Sequence, residues 1–225
     1  MTAPLVFEGV PLGGRGSQPV SLEVPARETV ALLGDEDSGI GRLGGYALGL
    51  DRPPAGRALV FGTEISRLPE RERLAFRRRV GYLPAGDALL QNLSLRDNVA
   101  LPLRFGSAAT TREIEGRVNV ILAAVRVAAV GGSRPARANE EECRRAAFAR
   151  AMAFDPALLI LEQPFDGLTA RTAAELLEFA RGGESAEGAR RAILITGQEL
   201  PGLLLPRIER VYRVSRAGAV ELETV

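Results

Sequence analysis

Lysine and histidine are absent from all 225 residues, tryptophan is absent too, and cysteine occurs once. Each absence removes a class of chemistry. Without histidine there is no imidazole base, so nothing of that kind can activate Cys143, which reads as a small buried residue. The same counts exclude Cys/His metal clusters, and no metal site is expected. A lone cysteine cannot form an intramolecular disulfide and fits a reducing compartment. Charge of one sign is lacking as well: 29 basic residues, all arginine, face 28 acidic ones for a formal net charge of +1. That balance provides no basic field for a nucleic-acid partner. Long apolar runs are also missing. The longest apolar stretch, Val118 to Val130, is interrupted by Arg126 and is too short to span a bilayer. The start, MTAPLVFEGV, has neither the charged region nor the apolar run of a signal peptide. The expectation is a soluble, cytoplasmic protein.

The length suits one domain, 1–225, with a substantial core. Strand-like segments occur at Leu5 to Phe7, Val20 to Val24, Thr29 to Leu33, Ala58 to Phe61, Val80 to Leu83, Ala157 to Leu161, Arg191 to Thr196 and Arg210 to Val214. Several are short continuous apolar runs, the pattern of strands covered on both faces. Between Asp87 and Asp155 the pattern turns helical, which predicts a helical subdomain over 87–155. Ser94 followed by Asp97 predicts a capped helix ending near Pro102, and Arg112 to Val127 predicts another. VYRVSRAGAVEL reads as a hairpin with Gly218 in its turn, and Gly182 to Ser185 as a mobile loop.

The segment Leu32 to Leu50, LLGDEDSGIGRLGGYALGL, carries the most chemical information. An apolar strand enters a loop with Gly34, Ser38 and Gly39, and a helix ending at Gly49 is expected to follow. A phosphate-binding P-loop reads G-x-x-x-x-G-K-S/T. Gly34 and Gly39 hold the glycine positions, but the lysine position is Ile40 and the Ser/Thr position is Gly41. A chain without lysine cannot recover that residue by shifting the alignment. Arg42 lies two residues on, and successive helical residues turn by roughly 100°, so it projects elsewhere. Asp35, Glu36 and Asp37 put carboxylates where backbone N–H groups would cradle a triphosphate.

Other segments follow in order. RRRVGYLPAGDALLQNLSLRDNVALPL (Arg77 to Leu103) resembles the Q-loop region of an ABC-transporter ATPase, with Ala85 in the glutamine position. ANEEECRRAAFARAMAFDPALLILEQPFDGLT (Ala138 to Thr169) resembles the signature helix, Walker B strand and D-loop. The LSGGQ positions are Ala138, Asn139, Glu140, Glu141 and Glu142; the Walker B aspartate is replaced by Glu162, the catalytic glutamate by Gln163 and the D-loop aspartate by Thr169. AILITGQEL (Ala192 to Leu200) resembles the strand before the switch histidine, with Gly197 in its place. Pro164, Gly167, Leu168 and Arg150 fit the family framework. Gln91 and Gln198 stand nearby in sequence, but their spacing supports neither as a replacement.

The resemblance to ABC-transporter ATP-binding subunits covers nearly the whole chain. It implies an α/β fold with a RecA-like P-loop NTPase core, an N-terminal antiparallel β portion and a helical subdomain, the ABC nucleotide-binding-domain fold. It implies vestigial nucleotide positions at Gly34, Ser38, Gly39, Ile40, Gly41, Ala85, Asn139, Glu162, Gln163 and Gly197, with no catalytic residue and no ATP or Mg²⁺ cofactor. Glutamine cannot accept a proton from an attacking water, although Glu162 is a suitable hard-metal ligand. It implies a degenerate, non-enzymatic subunit on the inner face of the cell membrane, acting as a scaffold or regulator. The implied partners are a membrane permease subunit and a second ATPase-like subunit, in a homodimer or a heterodimer with an intact ABC ATPase. Leu89, Leu90 and Leu93 resemble the place where such subunits receive a permease helix. NVALPLRF is reminiscent of lipid-transport, Mce-associated subunits. Two alternatives stand beside this reading: an ABC ATPase with residual or partner-dependent hydrolysis, and an interaction module independent of any transporter.

Overall fold

The computed structural model describes residues 2–12, 18–86, 88–182, 190–214 and 220–223. Two sheets organise it. β1 (Leu5–Pro11), β2 (Pro19–Val24) and β4 (Arg57–Val60) form an antiparallel sheet in the order β2-β1-β4. β5 (Val80–Leu83), β6 (Leu158–Glu162), β7 (Ala192–Gly197), β3 (Thr29–Leu33), β8 (Arg210–Val214) and β9 (Val220–Glu223) form the second, in that spatial order. β5 to β8 run parallel, and β9 returns antiparallel against β8. The C-terminal hairpin is therefore present, while Gly218 lies outside the described residues. So do residues 183–185 of the expected mobile loop, and Asp87.

β3, β6 and β7 are buried on both faces, and alternation divides their side chains between two cores. Val30, Leu32, Leu158, Ile160 and Leu194 join the core beneath the antiparallel sheet. Ala31, Leu33, Leu159, Leu161, Ile193 and Ile195 join the other, covered by helices. Those helices are α3 (Leu95–Gly106), α4 (Thr111–Ala124), α5 (Glu140–Ala151) and α6 (Ala170–Arg181). The first three fall between β5 and β6.

Each of these helices starts on a side-chain cap. Ser94 Oγ accepts the Asp97 N–H, Thr169 Oγ1 accepts the Thr172 N–H, and Thr110 with Glu113 and Asn139 with Glu142 form reciprocal capping boxes. α3 does not stop near Pro102; it continues to Gly106. Proline removes one helical hydrogen bond, but Ala100 and Leu103 on either side of it are buried, and that packing outweighs the loss. The helix expected after the P-loop region is also altered. Two 3-10 turns, Glu36–Ser38 and Ile40–Arg42, precede α1 (Leu43–Ala47), a single short α-helix. Gly41, Gly44, Gly45 and Gly49 explain this, since each glycine disfavours helix by about 1 kcal/mol relative to alanine. The remaining helix, α2 (Glu70–Arg77), has no buried residue. Among the described residues no helix is long and apolar enough to cross a membrane.

Candidate functional site

The C-terminal ends of β3, β6 and β7 converge on a cavity of about 160 Å³. Its lining includes Gly34, Ile40, Gly41, Ala85, Glu162, Gln163 and Gly197, so the parallel sheet unites most positions named from the sequence. Asn139 is not among them; it caps α5. Gly39 forms the joint between the two 3-10 turns at φ 77°, a left-handed conformation suited to glycine.

Three backbone donors in and beside the loop are bonded within the protein. The Gly34 N–H donates to the Gly197 carbonyl at 2.9 Å, the Ser38 N–H to the Asp35 carbonyl at 2.9 Å, and the Arg42 N–H to the Gly39 carbonyl at 3.1 Å. The Ser38 hydroxyl also turns back onto the Asp35 carbonyl. Ile40, in the lysine position, is 7% exposed and belongs to the core beneath the antiparallel sheet. Across the loop, the Gln198 amide donates to Glu36 Oε1 at 3.5 Å, and Gln198 lines the cavity. The sequence spacing gave no support for Gln198; parallel pairing of β3 with β7 is what brings it beside the loop. Gln91 is not in the lining.

Glu162 ends β6 and is buried. Its Oε2 accepts the Ala85 N–H at 3.3 Å, while Oε1 lacks a partner of good hydrogen-bond geometry. Burial pushes its carboxyl above the ordinary range, against the lowering influence of the Tyr82 hydroxyl and the Ala85 and Gly44 N–H groups. Burial and the adjacent Glu162 together push the Tyr82 phenol up. A side chain on Gly44 would place its Cβ 2.6 Å from the Tyr82 ring, so glycine is what lets the tyrosine lie there. Tyr82 was not singled out from the sequence; the available signal was strand alternation, which sets it on the face opposite Leu83. Gln163 adopts a left-handed backbone at φ 44°, and its N–H donates to the Thr196 carbonyl at 2.7 Å.

The carboxylates at the start of α5 have internal roles. Glu142 completes the capping box by accepting the Asn139 N–H at 2.9 Å. Glu141 pairs with buried Arg145 at 2.8 Å and accepts from the Thr172 hydroxyl at 3.3 Å, tying α5 to α6. Glu140 lies against Gly167.

These features do not fit a nucleoside triphosphate with its metal. An apolar side chain fills the cation position, several loop N–H groups are already bonded, and carboxylates face the place of phosphate.

Leu89, Leu90 and Leu93 divide by environment. Leu89 is buried in the helix-covered core, Leu93 is half-buried and Leu90 is 45% exposed. Leu89 thus serves packing, because the chain enters the core before α3 begins. Buried Asn98 fixes the segment: its Oδ1 accepts the Leu90 N–H at 2.7 Å and its Nδ2 donates to the Leu90 carbonyl at 3.1 Å. From α5, Arg144 and Arg150 donate to the Gly86 and Ala88 carbonyls at 3.0 and 2.6 Å.

The family model described as ABC transporter matches residues 17–166. The chain belongs to the ABC transporter ATP-binding family. Within that ABC family it is 33% identical over 203 residues to the lipoprotein-releasing system ATP-binding protein LolD of Chromohalobacter salexigens, spanning 90% of this chain and 84% of that protein. It is 34% identical over 167 residues to the sulfate/thiosulfate import ATP-binding protein CysA of Salmonella typhi. There it covers 72% of this chain but 44% of the relative's length. A solved dimeric bacterial ABC transporter cassette shares the fold, with a TM-score of 0.85 at 19% identity over 98% of this chain and 99% of that one.

Proposed function

We propose that this chain is a catalytically degenerate ABC-transporter subunit, a cytoplasmic scaffold or regulator seated on a membrane permease. The observation that carries the reading is Ile40, absorbed into the apolar core at the position where the P-loop pattern requires lysine. Loss of charge there removes the main cationic contact to the β- and γ-phosphates. Ala85, Gln163 and Gly197 extend the loss around the same cavity. The chain retains its two cores and its helix caps, and substitutions in such cores commonly cost several kcal/mol.

A permease helix would dock beside Leu90, where the 88–90 segment meets Arg150 and the boundary between the sheet and the helices of 87–155. Dimerisation, with a second copy or with an intact ATPase, accords with the dimeric cassette of the same fold. A lipid-related cargo draws support from the likeness to LolD, whose name refers to lipoprotein release. The names of both relatives as ATP-binding proteins favour a second reading, in which the chain binds nucleotide or assists hydrolysis within a dimer.

The test combines two measurements. Millimolar Mg-ATP leaves the melting temperature unchanged, whereas a ligand at one hundred times its Kd would add about 2.7 kcal/mol; a rise of several degrees favours the second reading. Leu90→Arg abolishes co-purification with the co-expressed permease at unchanged melting temperature. If the permease is retained, docking lies elsewhere.

A further inference from the structure

Arg126 holds a left-handed backbone at φ 62° just past the end of α4. The helix closes there as a Schellman motif: the Arg126 N–H donates to the Ala123 carbonyl at 3.0 Å and the Val127 N–H to the Leu122 carbonyl at 2.9 Å. Glycine suits that position, and arginine is strained in it. What the chain gains is the side chain, whose guanidinium reaches Glu175 Oε2 of α6 at 3.0 Å. Glu175 is shared among three arginines. Arg171 Nε lies 3.5 Å from its Oε1, and buried Arg145 lies 3.8 Å from its Oε2. These three and Arg207, from the 3-10 turn Gly202–Arg207, line a cavity of about 460 Å³. Arg207 pairs with Glu178 at 2.8 Å, and Arg145 pairs with Glu141 at 2.8 Å. Four guanidiniums thus meet three carboxylates, which leaves positive charge in excess. That excess is reachable, since the Arg126 and Arg171 side chains are 67% and 87% exposed. The lining shares no residue with that of the cavity at Gly34 and Glu162.

From this arrangement we infer that the cavity binds a compact oxyanion carrying two or more negative charges, of the pyrophosphate type. A univalent ion gains little there, because Glu175 and Glu178 already oppose it at close range. A multivalent one engages the outward N–H groups of Arg126 and Arg171 together with Arg207, and its larger charge offsets that repulsion. Guanidinium forks match phosphate oxygens in a planar, bidentate manner that an ammonium cannot reproduce. Occupancy ties the end of α4 to α6 and to the turn at Arg207.

The experiment titrates the full chain with inorganic pyrophosphate in a calorimeter, without divalent metal and at constant ionic strength, with orthophosphate as the comparison ion. Pyrophosphate binds saturably at one site, about tenfold more tightly than orthophosphate, and a parallel series shows the affinity falling as salt rises. Arg126→Gly is the decisive variant. It folds, because glycine relieves the left-handed backbone and an exposed ion pair contributes little, yet it weakens pyrophosphate binding about tenfold. Arg171→Ala, at an exposed position, weakens it similarly. Arg112→Ala, exposed at the other end of α4, leaves the affinity unchanged. Absence of saturable binding, or binding that survives both Arg126→Gly and Arg171→Ala, overturns the inference. An equal loss in Arg112→Ala overturns it too, because the attraction would then be diffuse rather than seated in this cavity.

Discussion

Glu162 shows how one buried group reports on the cavity at the ends of β3, β6 and β7. Its folded-state carboxyl titrates above the ordinary value because burial disfavours the anion. The native state therefore holds more protons than the unfolded chain between the two values, and this group's contribution to stability falls as pH rises through that window. Glu162→Gln keeps an acceptor for the Ala85 N–H and removes the penalty. Its melting temperature exceeds that of the parent at pH 7, and the difference closes as pH falls to the ordinary glutamate range. A difference independent of pH would mean that Glu162 is not held in this way. At the same scale, the sequence could name Leu89, Leu90 and Leu93 together but not separate them. All three are leucine, and only the path of the chain into α3 decides which one is covered.

The strands were the most legible elements, because runs such as Leu158 to Leu161 and Ile193 to Ile195 bury residues on both faces and admit few other arrangements. Caps were legible for an equally local reason, as Ser94 and Asp97 show. α1 was less so: the strand-loop pattern announced a helix, while the glycines that shorten it act through competing backbone conformations. α3 erred the other way, since Pro102 signals an ending and tertiary packing carries the helix past it. The capping box of α5 gives a test at this scale. Asn139→Ala removes the acceptor for the Glu142 N–H and costs about 1 kcal/mol, which for a domain of this size lowers the melting temperature by about 2–4 °C. Calorimetry checks this, and no change would show that the Glu141 ties to Arg145 and Thr172 hold the helix start alone.

For the whole molecule, the parallel sheet is what makes the cavity, since it gathers Gly34, Glu162 and Gly197 from segments far apart in sequence. Motif order made that gathering foreseeable, but not the internal occupation of Ile40 or the approach of Tyr82 and Gln198. Restoring Ile40→Lys with Gly41→Ser therefore creates no ATPase. It lowers stability by about 1–3 kcal/mol, because an ammonium replaces an alkyl group in the core. Phosphate-release and thermal-melting assays measure both outcomes, and turnover above background would refute the degenerate reading. One consequence follows from the loop whose amides are bonded to Gly197, Asp35 and Gly39. In the proposed role its shape owes nothing to the cell's adenylate pool, so a starved cell and a fed one contain the same conformer. Whatever control this subunit exerts then comes from how many copies of it are synthesised and how long each one survives.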